Sequence, residues 1–551
     1  MLNIYLRRCA ILLILIPAIL LQACIFFPST PAAPIAEAET NVPAYDEDTP
    51  ELPPAVAPQI PGRFTLRFDP NSSVNPLTTL NRDSIVLSSL LYESLFVLDS
   101  ALMPHPQLVE SWYSEDNMLF EFVIRSDIAM HDDTTLTAQD VAYSIRQAAR
   151  TGRFASRFEN IRSIDVTGDL TVSIEIRSPN SRFINLLDVP IIKSGSSGSR
   201  LPPGSGPFRF PHDEAMHLVA FSMHRDFADL PLDLIHLREC ADTELTELFD
   251  TGELSLIWDD PAGAFDIRLN RLRETRYFET TSLQFIGFNA NHVALRNPDI
   301  RRAISASIDR DYIVENIKPP GMTLASPLAL SPAFPFYDPV WAYQHLPPLE
   351  QMARLLQRAG LDISQNGYVD NPFPGIITGV NEFGEVTSTI EFTIDFIVNI
   401  ENTHKVAAAH QIAERLRRNG LNVIVRELPW ERFLTALRTE NFGMFYGETQ
   451  LGADFDLSPL LLPGPLNFGR TASNNYAPFL TDFLLARTEH EIRWASERLV
   501  DEIRLNAPFA PILYKRHAIY TPIGAIVRAE PSQSAVFRNI SDWTINLMML
   551  D

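Results

Sequence analysis

Between Ile390 and Tyr446 the sequence alternates between two hydrophobic periods. Ile390–Val398 reads as a strand. Thr403–Asn419 reads as a helix that turns Val406, Ala409, Ala413 and Leu416 to one side and stops at Gly420. Leu421–Arg426 is strand-like again, Trp430–Thr439 helical and Phe442–Tyr446 strand-like. Strand–helix–strand units of this length predict parallel pairing and an α/β fold. Such sheets hold ligands outside the carboxyl ends of their strands. The segment after Tyr446, Gly447-Glu-Thr-Gln-Leu-Gly-Ala-Asp-Phe-Asp456, is therefore the first place to expect a binding loop.

Other stretches carry similar local signals. Thr171–Arg177 alternates cleanly and Leu119–Arg125 is strand-like, both half-buried strands. Between them Thr137 is a good N-cap, with Asp140 three residues on and Val141, Ile145 and Ala148 on one helical face. Asn297-Pro298 opens a second helix, and Thr488 with Glu491 opens a long one reaching about Leu505. No internal repeat is evident.

The N-terminus places this body in the cell. Arg7 and Arg8 precede an apolar run from Cys9 to Leu21, followed by Leu21-Gln-Ala-Cys24. This is the layout of a secretory signal, residues 1–23, with a cleavage site at a small residue. Its last four residues resemble a bacterial lipobox, which makes Cys24 the acylated first residue of the mature chain. The competing reading is an uncleaved anchor; both leave the rest outside the cytoplasm, because Arg7 and Arg8 stay inside. Residues 24–61, rich in Pro, Ala and acids, read as an extended tether.

Composition then excludes several classes. The chain has 551 residues, 46% of them hydrophobic, which argues against global disorder and against a multi-span membrane protein. Its net charge of −23 becomes −25 once residues 1–23, with two arginines and no acid, are removed. That balance repels phosphates and disfavours nucleic acid as a partner. With Cys9 removed and Cys24 acylated, Cys240 is a lone thiol, expected to be a small buried hydrophobe.

No catalytic set assembles. Gly195-Ser-Ser-Gly-Ser199 is not a nucleophile elbow, and Gly204-Ser-Gly-Pro-Phe208 lacks the lysine of a phosphate loop. His490-Glu491 lacks a second histidine. His212, His217 and His224, near Asp213 and Glu214, fit no standard metal spacing. His236 and Cys240 would share a face only if helical. No metal and no cofactor is expected, and the residues favour a tethered extracytoplasmic binding protein over an enzyme.

Four stretches, in order, resemble one family. They are Leu91-Tyr-Glu-Ser-Leu95 with Pro106-Gln-Leu-Val-Glu-Ser-Trp112; Phe120–Arg125 through His131-Asp-Asp-Thr-Thr-Leu-Thr-Ala-Gln-Asp-Val-Ala-Tyr-Ser144; Gly204–Phe208; and Phe288-Asn289 with Arg301-Arg-Ala-Ile-Ser-Ala-Ser-Ile-Asp-Arg310. Together they resemble the family 5 extracellular solute-binding proteins of ABC importers, which take oligopeptides, dipeptides or nickel. The match runs from about residue 64 to 515.

The resemblance implies a periplasmic-binding-protein-like venus flytrap of the three-domain class. Domain I is discontinuous, at 62–95, 200–287 and 512–551; domain II covers 96–199 and domain III 288–511. It implies capture of a small solute, short peptides foremost, by a monomer that delivers it to permease subunits. Nickel or metal-chelate, haem and oligosaccharide binders of the same family are alternatives, as is an extracytoplasmic sensor. The family's Trp-x-x-Asp element, whose backbone pairs with peptide and whose Asp holds the ligand ammonium, falls on Leu451, Gly452, Ala453 and Asp454, with Leu451 in place of Trp. Asp133 stands where the family has a glycine suited to positive φ. The Lys193–Gly204 loop is trimmed. Gly204–Phe208 is expected to be a crossover element, and Tyr92 and Trp112 are expected in the core.

Overall fold

The computed structural model describes residues 62–550, apart from 264–266, 318–322, 346–351 and 362–374. The signal segment, Cys24 and the tether to residue 61 lie outside the described residues. No described helix is long and apolar enough to cross a membrane.

Local chemistry sets the helix read from Thr137 and Asp140. In α1 (Ala138–Ala148) the Thr137 backbone donates to Asp140 Oδ2 at 2.9 Å while the Asp140 backbone reaches back to Thr137 Oγ1. This reciprocal cap satisfies N–H groups that the first helical turn leaves without partners. Val141, Ala142, Ile145 and Ala148 are buried. They belong to one core with an antiparallel sheet ordered Val109–Tyr113, Leu119–Ile124, Thr171–Ile176, Ile161–Gly168. The alternation predicted for Thr171–Arg177 is realised: Val172, Ile174 and Ile176 point inward. A second four-stranded sheet, Thr65–Arg67, Leu234–Arg238, His217–Ala220 and Phe208–Arg209, shares that core.

The largest sheet combines β1 (Ile257–Asp259), β2 (Arg273–Phe288), β3 (Thr323–Ala325), β4 (Ile394–Asn399), β5 (Val423–Leu428), β6 (Met444–Gln450) and β7 (Phe509–Pro522). Its order is β1-β7-β2-β6-β4-β5, with β3 on the side of β7. β4 pairs in parallel with β5 and with β6, as the alternating pattern predicts. β2 pairs antiparallel with both β6 and β7, so the sheet is mixed rather than parallel. α2 (Pro298–Ser307), α3 (Thr403–Arg418), α4 (Trp430–Arg438) and α5 (Glu489–Asn506) accompany it. Each cap read from sequence is made: Asn297 accepts from Asp299 N with Pro298 at N1, Gly420 takes φ +89° after α3, and Thr488 and Glu491 bond reciprocally.

β2 and β7, 16 and 14 residues long, join two bodies. Phe278 and Ile519 lie in the core that holds α1, whereas Ile286, Phe288, Ala510 and Ile512 lie in the core under α2 and α3.

Three expectations need correction. Ile390 ends a separate hairpin, Ile376–Val380 with Val386–Ile390, and β4 starts only at Ile394. Trp112 is 42% exposed, because its strand forms the sheet edge and only its ring edge meets Phe96; Tyr92 is buried as expected, its hydroxyl donating to Pro202 O at 3.0 Å. His236 lies in a strand, so it shares no helical face with Cys240, which is half-buried rather than fully buried. His224 is buried, 3.8 Å from Glu93. Asp133 takes φ +62°, the left-handed turn for which a glycine is suited.

Candidate functional site

The segment expected to bind begins where β6 ends. Leu451 extends the pairing with β2: its N–H donates to Thr281 O at 3.0 Å, and Thr281 Oγ1 donates to Leu451 O at 2.7 Å. The chain then folds back, with Phe455 N donating to Gly452 O at 3.0 Å and Phe455 at φ +59°. The fold-back brings the Asp454 carboxylate against Gly452, where a Cβ would stand 2.3 Å from Asp454 Oδ1. Glycine is therefore required at 452 if Asp454 is to point this way.

Asp454 is buried, at 3% exposure. Its Oδ2 accepts from Asn180 Nδ2 at 2.8 Å and its Oδ1 from Asp456 N at 3.3 Å. The segment 180–185 closes over this turn. Arg182 Nε donates to Asp454 O at 2.9 Å, Arg182 Nη2 to Phe483 O at 3.1 Å, and Asn185 Nδ2 to Ala453 O at 3.1 Å. The Arg182 guanidinium also lies 4.2 Å above the Phe483 ring. Burial and then the neighbouring Asp456 carboxylate push the Asp454 pKa up to about 6, against the opposing pull of Asn180 and Arg182. Burial likewise raises Asp456, whose Oδ1 accepts from the Ser458 hydroxyl and amide. The result is a desolvated carboxylate whose charge the surroundings only partly compensate. An ammonium is the ligand group that such a site favours, since a charge-assisted pair strengthens as water leaves.

Six residues earlier on β6, Glu448 sits in an ionic network. Its Oε1 accepts from Lys515 Nζ at 2.8 Å and its Oε2 from Lys405 Nζ and Gln284 Nε2, each at 2.8 Å. Lys515 also pairs with Asp260, just after β1, and Tyr446 OH donates to Gln284 Oε1 at 3.0 Å. Burial alone would raise Glu448, but Lys405 and Lys515 hold it well below the usual carboxylate range. Burial is likewise overcome at Lys515, where Asp260 and Glu448 raise the ammonium. Beyond Phe445 no described strand pairs with the β4-facing edge of β6, because β4 meets it only at Met444 and Phe445.

Comparison with known proteins decides the family. Residues 103–463, well over half of the chain, match the model of bacterial extracellular solute-binding proteins, family 5. The chain belongs to this family. A probable peptide ABC transporter periplasmic-binding protein, y4tO of Sinorhizobium fredii, is 32% identical over 175 residues, covering 29% of this chain and 32% of that protein. The glutathione-binding protein GsiB of Shigella flexneri is 25% identical over 307 residues, 50% of this chain and 59% of that one. The chain thus spans between a third and three-fifths of the curated relatives it matches. The oligopeptide-binding protein AppA of Bacillus subtilis, solved with a nonapeptide, superposes with a TM-score of 0.61 at 17% identity, covering 88% of this chain and 99% of that one. That likeness shows a periplasmic-binding-protein-like fold.

Within this family 5 protein, Leu451, Gly452, Ala453 and Asp454 form one turn, and that turn packs against residues 180–185. Asn180, Arg182 and Asn185 carry no sequence signal; they are ordinary loop residues until the fold brings them here. The lysine of the network was partly readable. Lys405 lies on the same stripe of α3 as Ala408, Ala409, Ile412 and Leu416, all buried, whereas Val406 is only half-buried. A lysine continuing an apolar helical stripe asks for a buried counter-charge. No group of three or more potential metal ligands occurs among the described residues.

Proposed function

We propose that this family 5 protein is the solute-binding lipoprotein of an ABC importer. It captures short peptides, or similar amine-bearing solutes, and delivers them to permease subunits without chemical turnover. Domain I comprises 62–95, 200–287 and 512–551, domain II 96–199 and domain III 288–511. Cys24 carries the lipid anchor at the outer face of the cell membrane, and the protein acts as a monomer. The observation that carries the peptide reading is Asp454, buried where residues 180–185 meet the turn after β6, with its pKa held up. Partial separation of those segments would expose the carboxylate to a ligand ammonium. The β4-facing edge of β6 offers backbone groups to an extended chain, a mode of pairing that gives affinity independent of side chains. Two relatives, a peptide transporter component and a glutathione-binding protein, and one structural neighbour, an oligopeptide-binding protein, support this class.

The test is calorimetry with a panel of di- to pentapeptides and their N-acetylated forms. Binding of the free peptides, with at least a hundredfold loss on N-acetylation or in Asp454→Ala, is the expected result. Equal affinity of wild type and Asp454→Ala for the same peptide removes Asp454 from the site.

A further inference from the structure

One end of the protein is unlike the rest of its acidic surface. β2 and β7 terminate together where Arg273 pairs with Pro522, and Leu272 and Ile523 are the residues just beyond. The chain turns there and forms a short ladder in which Val527 faces Thr544 and Ile526 faces Ile545. Asn546 N donates to Ala525 O at 2.8 Å, and the Arg271 guanidinium donates to Leu550 O at 3.3 Å, which draws the turn at Leu547–Met549 onto the same end. Leu272 and Met548 keep 79% and 85% of their surface exposed, and Ile523, Val527 and Met549 are exposed beside them. Exposed apolar residues scattered singly need no explanation, but five on three joined segments do.

Three arginines stand among these apolar residues. Arg271, Arg273 and Arg528 flank the apolar residues, in a chain whose net charge is −23. Of the acids nearby, Asp250 accepts from the amides of Asn270 and Arg271, Glu274 from Arg276 and the Gly524 amide, and Asp542 is exposed; Arg273 donates to Leu269 O at 3.0 Å. The described chain also enters at this end, since a Cβ on Gly62 would lie 3.7 Å from Leu547 Cβ. Gly62 follows Cys24 by 38 residues.

We propose that this end is a membrane-docking surface, with Leu272, Ile523, Val527, Met548 and Met549 entering the interface and the arginines meeting anionic phospholipid headgroups. Apolar side chains interleaved with arginine match the chemistry of an anionic lipid surface, and each basic residue near it adds attraction that salt screens. The patch lies where the tether joins the body, the one place a membrane-anchored chain brings back to the bilayer at little cost in tether entropy. The position of the patch uses the reading of Cys24 as an anchor; the patch itself is tested without the lipid.

The mature chain from residue 24, without residues 1–23 and carrying Cys24→Ala, is sedimented with large vesicles of phosphatidylglycerol and phosphatidylethanolamine, and with pure phosphatidylcholine, at low and high salt. The bound fraction is expected to be severalfold higher on the anionic vesicles at low salt and to collapse at high salt. It is also expected to fall severalfold in Leu272→Ser/Met548→Ser. Arg528→Glu should reduce binding to the anionic vesicles alone. These side chains are exposed, so unchanged thermal unfolding certifies the variants. Absence of vesicle binding, or equal binding by the parent and the double variant, overturns the proposal. A dimer that the double variant converts to monomer, without vesicle binding, assigns the patch to a second copy and overturns it equally.

Discussion

Glu448 shows how much of this molecule depends on single buried charges. Its carboxylate is shared between Lys405 and Lys515, whose side chains are 3% and 5% exposed. Removing one member of such a set leaves its partners charged and desolvated, which costs on the order of 3–5 kcal/mol. Glu448→Gln should therefore lower the unfolding free energy read from urea titration by an amount of that order; a change within about 0.5 kcal/mol, the range of an ordinary surface substitution, would show the lysines to be solvated. Asp454 behaves in the opposite sense. Its folded pKa, about 6, lies above its ordinary value of 3.8, so its protonated form is the one the closed, ligand-free protein favours. The contribution is fully present below pH ~4 and is lost as the pH rises through ~6. Asp454→Asn should flatten the fall in stability of the ligand-free protein over that window, measured as unfolding midpoints at half-unit pH steps. Asp259, also raised to about 7 by burial and by Asp260, leaves a residual slope of the same sign in the variant. At this scale the sequence was informative about Asp454 as a position and silent about its partners. Asn180 lies 274 residues away, and a loop asparagine has no period or motif to announce such a contact.

Elements whose cause is local were legible, and those shaped by distant chain were read short or long. The caps of α1, α2 and α5 follow from side chains within three residues, and their boundaries were read to within a residue or two. β6 was placed at Phe442–Tyr446 but occupies Met444–Gln450, because the polar run Gly-Glu-Thr-Gln is held in the sheet by β2, some 160 residues earlier. The hydrophobic run from Ile390 merged two strands for a related reason: one belongs to a hairpin whose partner strand, Ile376–Val380, alone distinguishes it. The Gly204–Phe208 turn is a junction. Gly206 N donates to Leu91 O at 3.0 Å, Gly204 O accepts from His131 N at 2.7 Å, and the His131 ring lies 3.0 Å from Gly206 O. A Cβ on Gly206 would stand 2.4 Å from Leu90 O, a backbone atom that cannot swing aside. Gly206→Ala should cost well over the ~1 kcal/mol of a typical substitution, seen as a drop in melting temperature, whereas Gly198→Ala, with open space around it, should leave the transition nearly in place.

At the largest scale the described residues form two bodies joined by β2 and β7, an arrangement that no hydrophobic period announces. Alternation predicted parallel strands; the antiparallel pair that crosses between cores has no comparable signature, since β2 opens on a polar run and turns apolar only towards Phe288. A two-strand connection allows one body to swing against the other about a few residues while each core stays packed. The N-terminal reading also belongs to this scale. In broken cells the wild-type chain should stay with membranes through a high-salt wash, since acyl chains do not respond to salt. Cys24→Ser should be released by that wash, and a variant still pelleting would point to an uncleaved apolar segment. The meeting of Gly62 with Leu547 has a practical side. The first and last described segments meet, so in the described body a new N-terminus could be opened elsewhere and these two segments joined through a short bridge. It also follows that a reporter placed at Leu550 would sit beside Gly62, whereas one inserted at the Asn381–Glu385 hairpin tip, on the other body, would move with that body.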